Sequence, residues 1–181
     1  NSGTTWQNAG SDSQWKRSGC SYALFHPTDY KTWYAAASSA SGGSENMPRN
    51  IFFHGGIHRT SDEGVNWEQI ADYTDFGNNI WTIIYKIVID PVNPETLYVA
   101  TSSGIYKTTN SDETIPNNVS WSNILSGCVY DLEMRPNNNQ TLYTTCVTAP
   151  CSNSWDGCTS GCSPWLLKYS QDGGNTWNDL S

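Results

Sequence analysis

Apolar residues along this chain come in short runs, each of strand length, closed by Pro, Gly, Asn, Asp or Ser. The middle of the sequence shows the pattern most cleanly. Residues 82–89, 96–101, 104–108 and 121–125 are rich in Ile, Val, Thr, Tyr and Trp, which suit a pleated and half-buried surface. The segments between them carry turn formers. Four successive strands, A to D, are predicted there as an antiparallel meander. In a meander the A–B and C–D turns lie at one end of the sheet, and the B–C and D–A loops lie at the other.

The same pattern repeats. Residues 25–34 (Phe-His-Pro-Thr-Asp-Tyr-Lys-Thr-Trp-Tyr) return as 89–98 (Ile-Asp-Pro-Val-Asn-Pro-Glu-Thr-Leu-Tyr) and as 134–143 (Met-Arg-Pro-Asn-Asn-Asn-Gln-Thr-Leu-Tyr). Each copy sets an apolar residue, Pro, a polar turn, Thr, an apolar residue and Tyr at the same offsets. Pro fixes φ and Asn or Asp supplies turn conformations, so each copy reads as an A–B hairpin. A second segment follows each hairpin. Residues 59–67 and 169–177 both satisfy Ser/Thr-x-Asp-x-Gly-x-x-Trp; in the middle copy Thr108 and Asn110 open the string and Ser120 and Trp121 close it around an insertion. Residues 2–6 match the end of another copy. Trp6, Trp67, Trp121 and Trp177 are thus 61, 54 and 56 residues apart, intervals that suit a four-stranded propeller blade.

That string is the Asp box, and the chain resembles the Asp-box (bacterial neuraminidase repeat, sialidase-like) propeller superfamily, which includes sialidases, xyloglucan-cleaving glucanases and sortilin-type receptors. In style it is most similar to secreted surface repeat proteins of Bacteroidota-like bacteria. The resemblance implies an all-β fold of propeller blades with four antiparallel strands each. About three blades and one leading strand at 4–9 are expected in a single propeller segment, 1–181, with repeats near 7–67, 68–121 and 122–181. It also implies a structural box. The Asp accepts amide hydrogen bonds within the turn, the Gly takes a conformation costly for other residues, and the Trp plugs between blades. Thr60, Asp62, Gly64, Trp67, Thr108, Asn110, Trp121, Ser170, Asp172, Gly174 and Trp177 are accordingly fold determinants, and no catalytic residue is assigned.

Hairpins and boxes occupy one end of each sheet, while most insertions (7–18, 36–50, 71–81 and 148–164) fall at the other. These carry Trp15, Tyr73, Asp75, Trp81, Trp155 and, at the edge of the last, Trp165. Aromatic plates beside carboxylates suit a carbohydrate, so these six residues form the candidate ligand face. Packing of the loops on one another or on a neighbouring subunit is the alternative. Insertion 110–118 lies at the box end and reads as a solvated loop.

Six cysteines follow a different logic. Cys146, Cys151, Cys158 and Cys162 fall within 17 residues, at spacings that lack the paired knuckles of a zinc ribbon. Disulfides are expected, and with them a location outside the cytosol, secreted or on the cell surface. Cys128 and Cys146 suit a cross-strand pair, Cys151, Cys158 and Cys162 a stapled loop, and Cys20 a bond to one of those three. Fifteen pairings are open to six cysteines. Asn118 and Asn139 head N-glycosylation sequons.

The charge narrows the partners. Nine Lys and Arg stand against 17 Asp and Glu, for a net −8, which repels nucleic acid and anionic membrane surfaces. No apolar run reaches transmembrane length. His54 and His58 alone do not make a metal site, and no cofactor is implied. Four arginines, with Arg59 in a box strand and Arg135 in a hairpin, do not supply a sialidase's carboxylate-binding cluster. Asp75, Asp131 and Glu133 are available as glycosidase carboxylates, but nothing singles them out. Closed propellers have about 4–8 blades, more than this chain holds. The reading is therefore an extracellular structural or adhesive module, completed by further blades of a longer chain or by copies of itself. A carbohydrate-binding or glycoside-hydrolase propeller is the alternative.

Overall fold

A computed structural model describes residues 3–7, 20–37, 56–78, 82–147 and 165–180. The described residues form three antiparallel sheets of four strands each. The first holds β1 (Cys20–Phe25), β2 (Trp33–Ala37), β3 (Gly56–Thr60) and β4 (Glu68–Ala71). The second holds β5 (Ile84–Ile89), β6 (Leu97–Thr101), β7 (Gly104–Thr108) and β8 (Ser122–Ser126). The third holds β9 (Cys128–Met134), β10 (Leu142–Val147), β11 (Trp165–Ser170) and β12 (Asn178–Asp179). In every sheet the strands are ordered as in the chain. The first strands pack side by side, β1 against β5 and β5 against β9, so the sheets fan out as β-propeller blades. Residues 3–7 form a turn, and Trp6 there is 88% exposed.

The hairpin repeat becomes one geometry three times over. His26, Asp90 and Arg135 donate their amides to the carbonyls of Thr32, Thr96 and Thr141, and those threonines donate back to Asp29, Asn93 and Asn138. The register that follows sets Tyr34 opposite Leu24, Tyr98 opposite Val88 and Tyr143 opposite Glu133. Each A–B pair also carries a bulge, between Cys20 and Tyr22, Ile84 and Lys86, and Thr145 and Cys146. A bulge adds local twist, which a fanned sheet uses.

Two apolar cores lie between blades. Tyr34, Ile57, Phe76, Ile84, Ile87, Leu97 and Val99 fill the first, between blades one and two. Tyr98, Ile105, Val129, Leu132 and Leu142 fill the second, between blades two and three. Burying each such side chain contributes about 1.5–3 kcal/mol, so a blade gains most of its stability by docking on its neighbour.

The cysteines depart from expectation. Cys146 is a free thiol with no exposed surface, and Cys20 is also free. Cys128 is disulfide-bonded, to neither of them. The bulge is the reason: it pairs Cys146 with Val129 and Val147 with Cys128. Neighbouring strand residues face opposite ways, so Cys128 and Cys146 lie on opposite faces of the sheet. Burial raises the Cys146 thiol pKa, which makes it an inert core residue. Cys151, Cys158 and Cys162 lie outside the described residues.

Candidate functional site

The three C–D turns use one hydrogen-bond relay. In the first, the buried Thr60 hydroxyl donates to Asp62 Oδ1 at 2.8 Å and accepts the amides of Asp62 and Gly64 at 3.3 and 3.0 Å. Asp62 then accepts the Asn66 amide at 2.8 Å. Ser170, Asp172, Gly174 and Thr176 repeat this in the third turn, with the Thr176 amide 2.9 Å from Asp172 Oδ1. In the middle turn Thr108 and Asn110 serve instead, and Asn110 Oδ1 accepts the Ser120 amide across the insertion at 3.1 Å. The left-handed φ of +87° at Gly64 and +90° at Gly174 explains the glycine. Hydrogen bonds from the Asn66 amide and side chain and the Thr60 hydroxyl lower the Asp62 pKa. The Thr176 hydroxyl and amide and the Ser170 hydroxyl hold Asp172 at about 2. Both oxygens of each carboxylate are hydrogen-bonded within the turn.

Each turn is tied to its own hairpin and, where a preceding blade exists among the described residues, to that blade. The amides of Glu63, Ser111 and Gly173 donate to the carbonyls of Lys31, Glu95 and Gln140. Across the first joint Tyr34 meets the Ser111 hydroxyl at 3.1 Å, and Arg59, 6% exposed, donates to the carbonyls of Ser111 and Glu113 while pairing with Glu68. Across the second, the Tyr98 hydroxyl and Lys107 Nζ both donate to the Gly173 carbonyl, at 3.2 and 3.0 Å. Burial pushes the Tyr98 phenol up to about 12, so it stays a donor. Trp121 donates to the Ile70 carbonyl at 3.2 Å and stands edge-on to Phe76. Trp177 packs against the second core, and Trp67, half-buried, donates to Gly64 within its own turn. Insertion 110–118 is exposed at Asp112, Thr114, Ile115, Asn117 and Asn118, as expected of a solvated loop, and is anchored between the blades by Ser111, which is fully buried, and by Val119 just after it, 6% exposed. Arg59, Tyr34 and Phe76 went unassigned from sequence. Aligning Tyr34 and Arg59 with Tyr98 and Lys107 was the available signal.

Of the candidate ligand face, Trp15, Trp81 and Trp155 lie outside the described residues, and Trp165 begins β11. Tyr73 and Asp75 sit in the loop after β4, which is pinned by the fully buried Phe76. Asp75 accepts the Asp72 amide at 2.9 Å. Its carboxyl pKa is raised by burial and by the charge of Asp72. Beside it opens a cleft of about 330 Å³, lined by residues 69–72, Thr74 and Asp75 of the first blade and by Pro116, Asn117 and Val119 of the second. The end of the insertion therefore supplies one wall of a cleft whose other wall is the predicted ligand loop.

The remaining candidates are placed as follows. Asp131 and Glu133 both pair with Lys86 across β5 and β9. Burial lowers the Lys86 pKa, but the hydrogen bonds Lys86 donates to Glu133 and Asp131, with their negative charges, outweigh it and raise the value overall. Asn139 donates to Asp90 of the preceding blade at 2.9 Å, and Asn118 is exposed at the end of the single-turn 3₁₀ helix Pro116–Asn118. His58 is buried in β3 and His54 lies outside the described residues, among which no metal-binding cluster is found.

No protein-family model and no curated protein matches the chain. Solved structures do. An ancestral GH74 enzyme superposes with a TM-score of 0.61 at 17% identity, over 90% of this chain and 20% of that one. The GH74 xyloglucanase from Xanthomonas campestris gives 0.58 at 12% identity, over 93% and 23%. The Niastella koreensis GH74 enzyme gives 0.57 at 17% identity, over 90% and 22%. The chain thus spans about a fifth of the length of these structures. At such identities the likeness is one of fold.

Proposed function

We propose that this chain is a three-blade part of an extracellular propeller of the Asp-box kind that is directed at carbohydrate. The observation that carries this reading is the superposition of nine-tenths of the chain on GH74 enzymes, one of them titled a xyloglucanase. The relay from hydroxyl to carboxylate to amide supports the Asp-box assignment. In this reading the boxes and hairpins are scaffold, and the cleft between Gln69–Asp75 and Pro116–Val119 holds the sugar. Its Asp72, Thr74, Asp75 and Asn117 side chains supply the donors and acceptors that sugar hydroxyls need, beside the apolar edges of Ile70, Pro116 and Val119. Binding rather than cleavage is proposed, since Asp72 and Asp75, the carboxylates that line the cleft, are hydrogen-bonded within their own loop.

The test is calorimetric titration with xyloglucan oligosaccharides, with cellulose oligosaccharides alongside. Saturable binding is expected, and Asn117→Ala should weaken it about fivefold or more, the worth of one lost hydrogen bond. Flat titrations with both glucans would sink the reading. A structural or adhesive role is the second reading, favoured by the exposed apolar face of the third blade.

A further inference from the structure

Nine residues line the cleft between Gln69–Asp75 and Pro116–Val119, and their charge is one-sided: Asp72 and Asp75 are among them, and no Lys, Arg or His is. Arg59 belongs to the same joint between blades, but it is committed to Glu68 and to the carbonyls of Ser111 and Glu113. Other carboxylates do meet a cation, Asp131 and Glu133 at Lys86 and Asp179 at Lys168. The two in the cleft meet none among the described residues.

Each of these two half-buried carboxylates is held through one oxygen. Asp72 Oδ1 accepts the Thr74 amide at 2.7 Å and the Thr74 hydroxyl at 2.5 Å, and Asp75 Oδ2 accepts the Asp72 amide at 2.9 Å. Among the described residues, Asp72 Oδ2 and Asp75 Oδ1 receive no hydrogen bond. The carboxylates of the C–D turns differ, since both of their oxygens are occupied. An ionised oxygen set partly out of water calls for a donor, and a charged donor serves it best. Burial and the Asp72 charge hold the Asp75 carboxyl above its usual range, although the Asp72 amide opposes them. A carboxyl raised in this way lacks a counter-charge, which a cationic ligand supplies.

We infer that Asp72 and Asp75 make this cleft discriminate between sugars by charge, preferring a glycan with a protonated amine on its ring to a neutral one. The inference rests on the carbohydrate reading above and names the class of sugar within it. An ammonium group in place of a ring hydroxyl brings three N–H donors and no acceptor, which matches carboxylate oxygens that lack donors. Thr74 and Asn117 remain for the hydroxyls, with Ile70, Pro116 and Val119 beside the apolar face of the ring. Neutral glucans enter the same cleft and leave the two free oxygens to water. A sugar acid adds a like charge where no cation lines the wall, and is refused.

Oligosaccharides of cellulose, chitin and chitosan isolate this effect, because they share one linkage and differ at one ring position, which bears a hydroxyl, an acetamide or an ammonium group. Calorimetric titration is run at about pH 6, above the usual carboxylate range and below the usual amino range. Chitosan oligosaccharides should bind about tenfold more tightly than the other two, the worth of one charge-assisted hydrogen bond. Asp72→Asn combined with Asp75→Asn keeps an acceptor for the loop amides and should bind all three sugars alike, at the affinity of wild type for cellulose oligosaccharides. That retained affinity shows the cleft to be intact; should the pair disturb the loop, Asp75→Asn alone must narrow the preference about threefold or more. Glu63→Gln removes an exposed charge in the first C–D turn and should leave the preference unchanged, which separates the cleft from the net charge of −8. Equal affinities in the wild type would overturn the inference and leave the carbohydrate reading standing. So would a preference that survives in the double variant or disappears in Glu63→Gln. Flat titrations with all three sugars overturn it too, and the xyloglucan titration then decides separately whether the carbohydrate reading falls with it.

Discussion

The outer turns, 60–67 and 170–177, and the middle turn, 108–121, reach the same relay by different means. Asp62 and Asp172 accept the closing amide with a carboxylate, and Asn110 accepts it with a neutral amide oxygen. The geometry therefore needs an acceptor two residues after a buried hydroxyl, and charge is not part of the requirement. What the middle turn gains from its insertion is reach. It brings the Ser111 and Glu113 carbonyls to Arg59 and lays a 3₁₀ turn along β4. The third turn offers the preceding blade one carbonyl, that of Gly173. At the turns, the first joint is in consequence the more heavily tied of the two.

Removing the cation on each side of the joints sharpens that contrast most. Arg59→Ala leaves two carbonyls without their charged donor and Glu68 without its partner, and should cost about 2–3 kcal/mol. Lys107→Ala removes one donor to one carbonyl from a half-buried site and should cost about 1 kcal/mol. Urea unfolding of both variants measures the difference. Equal losses would mean that the insertion does not strengthen the first joint.

The next effect separates the turns by their backbones. Gly174 has φ +90°, and a methyl group there would stand 2.5 Å from Ile124 Cδ1 of the neighbouring blade. Gly174→Ala should therefore cost about 2 kcal/mol, from backbone strain and overpacking together. The residue four after the hydroxyl in the middle turn is Asp112, exposed and free of that constraint. Asp112→Ala should change stability by less than about 0.5 kcal/mol. Thermal melts of the pair decide it, and an indifferent Gly174→Ala would show that blade three does not rest on Ile124.

Much of this scaffold was legible because it is written locally. The hairpin string fixes its closing hydrogen bonds through Thr32, Thr96 and Thr141, and the turn string fixes its relay through Thr60, Thr108 and Ser170. Strand positions in the second blade were readable to within a residue or two, since Pro91, Gly104 and Trp121 punctuate them. The cysteine pairing was not readable, because one bulge at Thr145–Cys146 reverses the face on which a side chain lies. Nor was the role of insertion 110–118. Its polar composition describes a solvated loop, which holds for Asp112, Thr114, Asn117 and Asn118, but only the burial of Ser111 and Val119 shows that the loop is anchored between sheets. The cleft depended on the same packing. It forms where a loop from one blade meets an insertion from the next, a contact that no local string encodes.

The smallest expected effect tests whether charge in the outer turns acts only through pH. Asp172 is held at about 2 and Asp62 is also lowered, while both return to about 3.9 when unfolded. A depressed carboxylate contributes stability that is fully present above the unfolded value and is lost as pH falls through the folded one. Part of the chain's stability should therefore fade between about pH 5 and pH 2, and Asn110 should contribute nothing to that loss. Asp29 is lowered too, through Thr32 and the Lys31 amide, and adds a background that both proteins in the test share. Asp62→Asn combined with Asp172→Asn gives all three turns the acceptor of the middle one. The double variant should stay close to wild type at pH 7 and lose less than wild type on acidification, measured as unfolding midpoints across that range. A variant that unfolds at pH 7 would show that the outer turns need the carboxylate itself. The equivalence drawn between Asn110 and the two aspartates would then fail.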